Sequence, residues 1–159
     1  MSSGEPISSD SPASAIDPKV SGLIFLMMLG LMAGGFVAYR MLRQAPPPEP
    51  AEVAADPLLA QGRTIFLGRC ATCHGNEGRG DGPIAGNLIG PPVGNLTDDQ
   101  WKHGDRPDQV QDVIAKGVPN TRMEPWNHVL DPPDLRAVAA YVYYLAKRAV
   151  PDELRKPSS

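Results

Sequence analysis

Two hydrophobic patterns divide the chain. From Val20 to Tyr39 the run VSGLIFLMMLGLMAGGFVAY is unbroken by charge and long enough to cross a hydrocarbon layer about 30 Å thick as one helix. Lys19 precedes it, and Arg40 and Arg43 close it. A transmembrane helix is therefore predicted over residues 19–42, meeting the lipid bilayer through residues 20–39. A cleaved signal peptide would have a shorter apolar core and then an A-x-A-like site, and the chain has nothing of that kind after the run.

Beyond residue 55 the apolar positions recur at helical spacing instead. Asp56 and Pro57 read as an N-cap with proline at the first helical position. They open a helix whose apolar set is Leu58, Leu59, Ile65, Phe66 and Cys70. Arg106-Pro107 opens a second helix with Val110, Val113 and Ile114, and Gly117 stops it. Asp131, Pro132 and Asp134 open a third. Its Leu135, Val138, Ala139, Val142 and Leu145 form one stripe at i, i+3, i+4, i+7 and i+10. Gly75 to Gly94 is rich in glycine and proline and reads as loop, as does Thr121 to Trp126. No strand pattern and no internal repeat is visible, so the fold class is all-α.

The remaining segments lack periodicity. Residues 1–18, rich in Ser, Pro and Asp, have too few apolar groups to fold alone and are expected as a disordered tail. Residues 43–55 form a Pro-rich linker, which at about 3 Å per residue would hold the folded domain a few tens of Å from the membrane. That domain takes residues 56–149, and 150–159 form a C-terminal tail. A domain this small cannot build a large core.

The domain carries Cys70-Ala71-Thr72-Cys73-His74. Cys-x-x-Cys-His is the attachment motif for c-type haem. On one helical turn the two thiols can form thioether bonds to both vinyl groups of a porphyrin, and His74 then offers an imidazole to the iron. A thioredoxin-like Cys-x-x-Cys would need a βαβ context. A zinc site would need a second ligand pair, whereas His103 and His128 are single and far apart. A disulfide would leave His74 unexplained. Both cysteines of the chain lie in the motif.

Charge adds little. The formal net charge is −3, and between Pro57 and Arg148 ten Lys/Arg face ten Asp/Glu. No basic patch interleaved with aromatics suggests nucleic acid, and any electrostatic steering must come from local patches.

Met123 is the only methionine beyond the predicted transmembrane helix of residues 19–42, and it lies in a loop beside Pro125 and Trp126. A thioether there suits the second axial position of the iron and would raise the reduction potential. The alternative for a methionine is core filling. His128 is the competing ligand, and His103 reads as a surface residue. The cofactor-binding set is therefore Cys70, Cys73, His74 and Met123, with His74 and Met123 on the metal. No catalytic residue is assigned.

With these residues placed, the segment from Pro57 to Arg148 resembles a class I, monohaem cytochrome c. Gly62, Phe66 and Cys70 match the family's first helix, and Tyr141 matches the aromatic of the last helix that packs on the Gly/Phe pair. The resemblance implies that a proline carbonyl, of Pro91 or Pro92, accepts the Nδ1–H of the proximal histidine. Asn95-Leu-Thr-Asp-Asp-Gln-Trp-Lys-His-Gly and the last helix are similar to the haem domain of the third subunit of C-family (cbb-type) haem–copper oxidases. There are two departures. Proline stands one place later in Met123-Glu124-Pro125-Trp126 than in relatives, and only one haem motif is present where that subunit often has two.

The resemblance implies one covalent haem c with its iron, and a membrane-anchored cytochrome moving single electrons in a respiratory chain. The donor would be a quinol-oxidising complex or a small periplasmic carrier, and the acceptor a terminal oxidase, of which the chain is a subunit or to which it is a donor. It is not expected to be an enzyme. The other readings are a ligand sensor or peroxidase-like protein with a labile sixth ligand, and a mainly structural assembly subunit. The arginines after the apolar run would favour the cytoplasm under the positive-inside rule. Haem attachment in bacterial c-type cytochromes occurs on the outer side, and two arginines against one lysine is a small bias. The expected topology is therefore single-pass in the bacterial inner membrane, N-terminus cytoplasmic and haem domain periplasmic.

Overall fold

The computed structural model describes residues 17–44 and 46–156, and contacts divide the chain after Arg43 into two units. Most of the expected disordered tail, through residue 16, lies outside the described residues, as do residues 157–159. In the first unit α1 runs from Pro18 to Gln44. Asp17 caps it, its side chain accepting from the Lys19 amide at 2.9 Å. Residues Pro18–Leu42 are long and apolar enough to cross a membrane, with a mean hydropathy of 2.2 over an 18-residue window. That window is unburied among the described residues and apolar on every side, as expected of a helix whose partner is lipid.

The second unit is built from α2 (Ala51–Ala54), α3 (Pro57–Ile65), α4 (Ala71–His74), α5 (Pro107–Lys116), α6 (Pro132–Leu145) and α7 (Asp152–Arg155). No strand occurs among the described residues. The caps follow the local chemistry. Asp56 accepts from the amides of Leu58 and Leu59 at 3.0 and 3.4 Å, Asp131 accepts from Asp134 at 2.9 Å, and prolines take the first helical turns. α5 ends on Gly117, whose φ of 70° suits glycine.

The crossing of α3 and α6 is the spine of this unit. Gly62 is buried there, and a methyl group in its place would fall on the carbonyl oxygen of Ala137 and 2.9 Å from Cβ of Tyr141. Removing that Cβ lets the helix axes approach, so Phe66 and Tyr141 meet with ring centroids 5.4 Å apart. Such a tilted pair adds about 1 kcal/mol to the burial of both rings. α6 is covered on most sides, with Ala137 to Tyr143 all buried. α5 closes the core with Val110 and Ile114.

Three stretches depart from the sequence pattern. The first helix does not continue regularly into the motif: Phe66–Cys70 forms a π turn between α3 and α4, a widening that takes one extra residue. The Pro-rich segment is not a free spacer, because α2 docks on the domain and Val53 is completely buried. The expected C-terminal tail is packed through α7, where Leu154 is 1% exposed and Arg155 pairs with Asp56 at 2.7 Å. In both terminal cases one apolar side chain finds a hole in the core.

Candidate functional site

The π turn delivers Cys70, and α4 then carries Cys73 and His74 on a single turn. A helix end leaves its last four carbonyls without partners. Here the glycine-rich loop supplies all four donors. Gly75 N–H donates to Ala71 at 2.8 Å, Gly80 to His74 at 2.8 Å, Gly82 to Cys73 at 3.1 Å and Ile84 to Thr72 at 3.3 Å. The last three donors alternate along the chain, so residues 80–84 run back over the motif. That contact is too close for a side chain at position 82. A methyl on Gly82 would fall on the carbonyl oxygen of Thr72 and 2.6 Å from the carbonyl of Cys73. The loop is thus the cap of the motif helix, which is why position 82 is glycine.

The same loop orients His74. Its Nδ1 lies 3.2 Å from the carbonyl oxygen of Gly94. A carbonyl can only accept, so Nδ1 carries the proton and Nε2 keeps its lone pair for a metal. The expected acceptor was Pro91 or Pro92, and the structure corrects this to Gly94. The reason is register: Leu96 donates to Gly78 at 2.7 Å, and this bond draws the chain past the two exposed prolines before it meets the imidazole. Burial pushes the His74 pKa below its usual value, against the opposing effect of the Gly94 bond. The ring is therefore held in the neutral form that binds metal.

Cys70 and Cys73 form no disulfide and are half-buried. Burial, reinforced by the neighbouring Cys73, pushes the Cys70 thiol up to about 11, with Arg69 opposing. Redox-exchange cysteines have depressed pKa values, so this thiol is not of that kind. Met123 comes from a separate element, the loop between α5 and α6. Its amide donates to Thr121 Oγ1 at 3.1 Å, and its carbonyl accepts from Val118 at 3.0 Å. The loop is latched further along, where Trp126 and Asn127 donate to the last carbonyls of α5. The half-buried Met123 thus sits on a fixed main chain, while His103 and His128 are exposed.

The motif fits an iron porphyrin held by two thioether bonds, with two free thiols one helical turn apart and an imidazole with Nε2 available, while the Met123 thioether stands in a separate loop. One further donor awaits an acceptor. Trp101 Nε1 is buried without a hydrogen-bond partner among the described residues, against Tyr143 at 5.0 Å and beneath Arg148. No group of three or more potential metal-binding His, Cys, Asp or Glu occurs among the described residues. The Gly94 acceptor and the loop amides escaped the sequence reading, because main-chain groups leave no residue-type signal.

Residues 57–142 match the family model described as cytochrome c oxidase, cbb3-type, subunit III. The chain is 38% identical over 95 residues to the cbb3-type cytochrome c oxidase subunit FixPc of Rhizobium leguminosarum bv. viciae, a match covering 55% of this chain and 30% of that protein. It is 37% identical over 92 residues to the subunit CcoP of Cereibacter sphaeroides, covering 55% and 28%. The chain therefore spans less than a third of the length of these relatives.

Proposed function

The chain belongs to the family of cytochrome c oxidase, cbb3-type, subunit III, and from that premise we propose that it is a membrane-anchored monohaem cytochrome relaying single electrons to a terminal oxidase. Its cofactor is covalently bound haem c with iron, which supplies the one-electron couple Fe(III)/Fe(II). Cys70 and Cys73 provide the thioether sulfurs. His74 Nε2 and Met123 Sδ would be the protein ligands of the iron. A soft thioether ligand would favour Fe(II) and raise the potential towards that of an oxidase donor. With both residues on the iron, no position would be left for a substrate. α1 anchors the chain in the inner membrane with its N-terminus in the cytoplasm, and the haem domain works on the periplasmic side. Electrons enter from a quinol-oxidising complex or a small periplasmic carrier.

The observation that carries this reading is the His74 Nδ1 contact with Gly94 at 3.2 Å, which leaves Nε2 for iron beside two free thiols. The test pairs redox potentiometry with oxygen uptake by membranes carrying His74→Ala or Met123→Ala. The reading predicts a lowered potential in Met123→Ala and slowed uptake in both variants. Normal uptake by His74→Ala membranes would refute the relay. An unchanged potential in Met123→Ala would refute the axial assignment and turn attention to His128.

A further inference from the structure

The Pro-rich stretch after α1 has the composition of a spacer, yet most of it is bound. Val53 is 0% exposed, a side chain with no reason to be buried in a passive linker. The backbone around it is hydrogen-bonded: Val53 and Ala54 donate to Pro50, Ala55 to Ala51 and Asp56 to Val53, at 3.0 to 3.2 Å. Two polar anchors flank it. Arg63 of α3 donates to the carbonyl of Pro47 and lies 3.8 Å from Glu49, with its own side chain only 13% exposed. Tyr144 of α6 donates to Glu52 at 2.7 Å. Each anchor comes from a different helix of the domain's central crossing, so the segment spans α3 and α6 at once.

We propose that residues 47–54 are a clasp that stays closed on the haem domain, so that this stretch adds nothing to the reach of the chain. As a free polyproline chain these eight residues would add about 25 Å. By removing that reach the clasp narrows the range of partner surfaces open to the haem domain. This inference rests on α1 being the membrane anchor proposed above.

Hydrogen exchange on the full, haem-loaded chain in lipid nanodiscs tests it. The amides of Val53 to Asp56 are expected to exchange at least about a hundredfold more slowly than in a free chain. Val53→Asp places a charge in the apolar hole and should return them to free-chain rates while α6 stays protected. Tyr144→Phe removes only the hydroxyl and should speed them about fivefold, a readout that survives if Val53→Asp fails to fold. Free-chain exchange in the unaltered protein, or no response to either variant, overturns the clasp. Flotation with lipid vesicles reports the anchor separately: a chain that does not float refutes the membrane reading, while protected amides still establish the clasp.

Discussion

Replacing Gly62 by alanine sets two effects of opposite sign against each other. Gly62 lies inside α3, where alanine is the better helix former by about 1 kcal/mol. Were the position open, the substitution would stabilise the protein. The new methyl would instead land on the carbonyl oxygen of Ala137 and 2.9 Å from Cβ of Tyr141. Neither obstacle can rotate away, since one is backbone and the other the root of a side chain. The helices must separate, at an overpacking cost of about 3 kcal/mol. Separation also loosens the Phe66–Tyr141 pair, now at 5.4 Å, for about 1 kcal/mol more. The net effect is a loss of about 3 kcal/mol, which for a unit of this size lowers Tm by roughly 10–20 °C. Calorimetry of the purified variant beside the parent measures it. A Tm equal to or above the parent's would show that the crossing yields easily, and the close-approach argument would fail.

The other predictions concern the site and its supports. Gly82→Ala should prise the loop from the motif carbonyls it covers, lowering covalent haem per protein as read by the Soret-to-protein absorbance ratio; an unchanged ratio would refute the capping role. Phe66→Ala removes a ring that is 1% exposed and should cost about 3–5 kcal/mol in denaturant unfolding. Tyr144, whose hydrogen bond to Glu52 pushes its pKa from 10.0 up to about 12, stabilises the fold fully below pH 10. That contribution fades as pH rises through 12, so Tyr144→Phe should flatten the alkaline loss of stability between those values. His128→Ala should leave the reduction potential where it was, because this histidine is exposed; a marked fall would make it the axial ligand.

Much of the architecture was legible in the residues because its signals are local. Asp56 and Asp131 cap the helices they were expected to cap, since an N-cap depends on a side chain and amides two or three positions away. Cys70, Cys73 and His74 were legible for the same reason, as their spacing sets their grouping on one turn. Gly62, Phe66 and Tyr141 were placed by resemblance to a family, and the structure brings them together.

What only the tertiary structure decided is long-range and made largely by main-chain atoms. The partner of His74 is Gly94, twenty residues away, selected by the register in which Gly80, Gly82 and Ile84 lie against α4. A carbonyl has no residue-type signature, so Pro91 and Pro92 were equally plausible from sequence. The clasp was hidden for another reason. Its prolines describe how a free chain behaves, but whether Val53 stays free depends on a hole completed by elements far along the sequence, with Arg63 holding Pro47 and Tyr144 holding Glu52 nearby. Leu154 reaches the core in the same way. Sequence determined the helices, their ends and the haem-binding chemistry, because those arise within a few residues; which main-chain groups hold the site, and which side chains hold the Pro-rich segment, arise from contacts that exist only once the chain has folded.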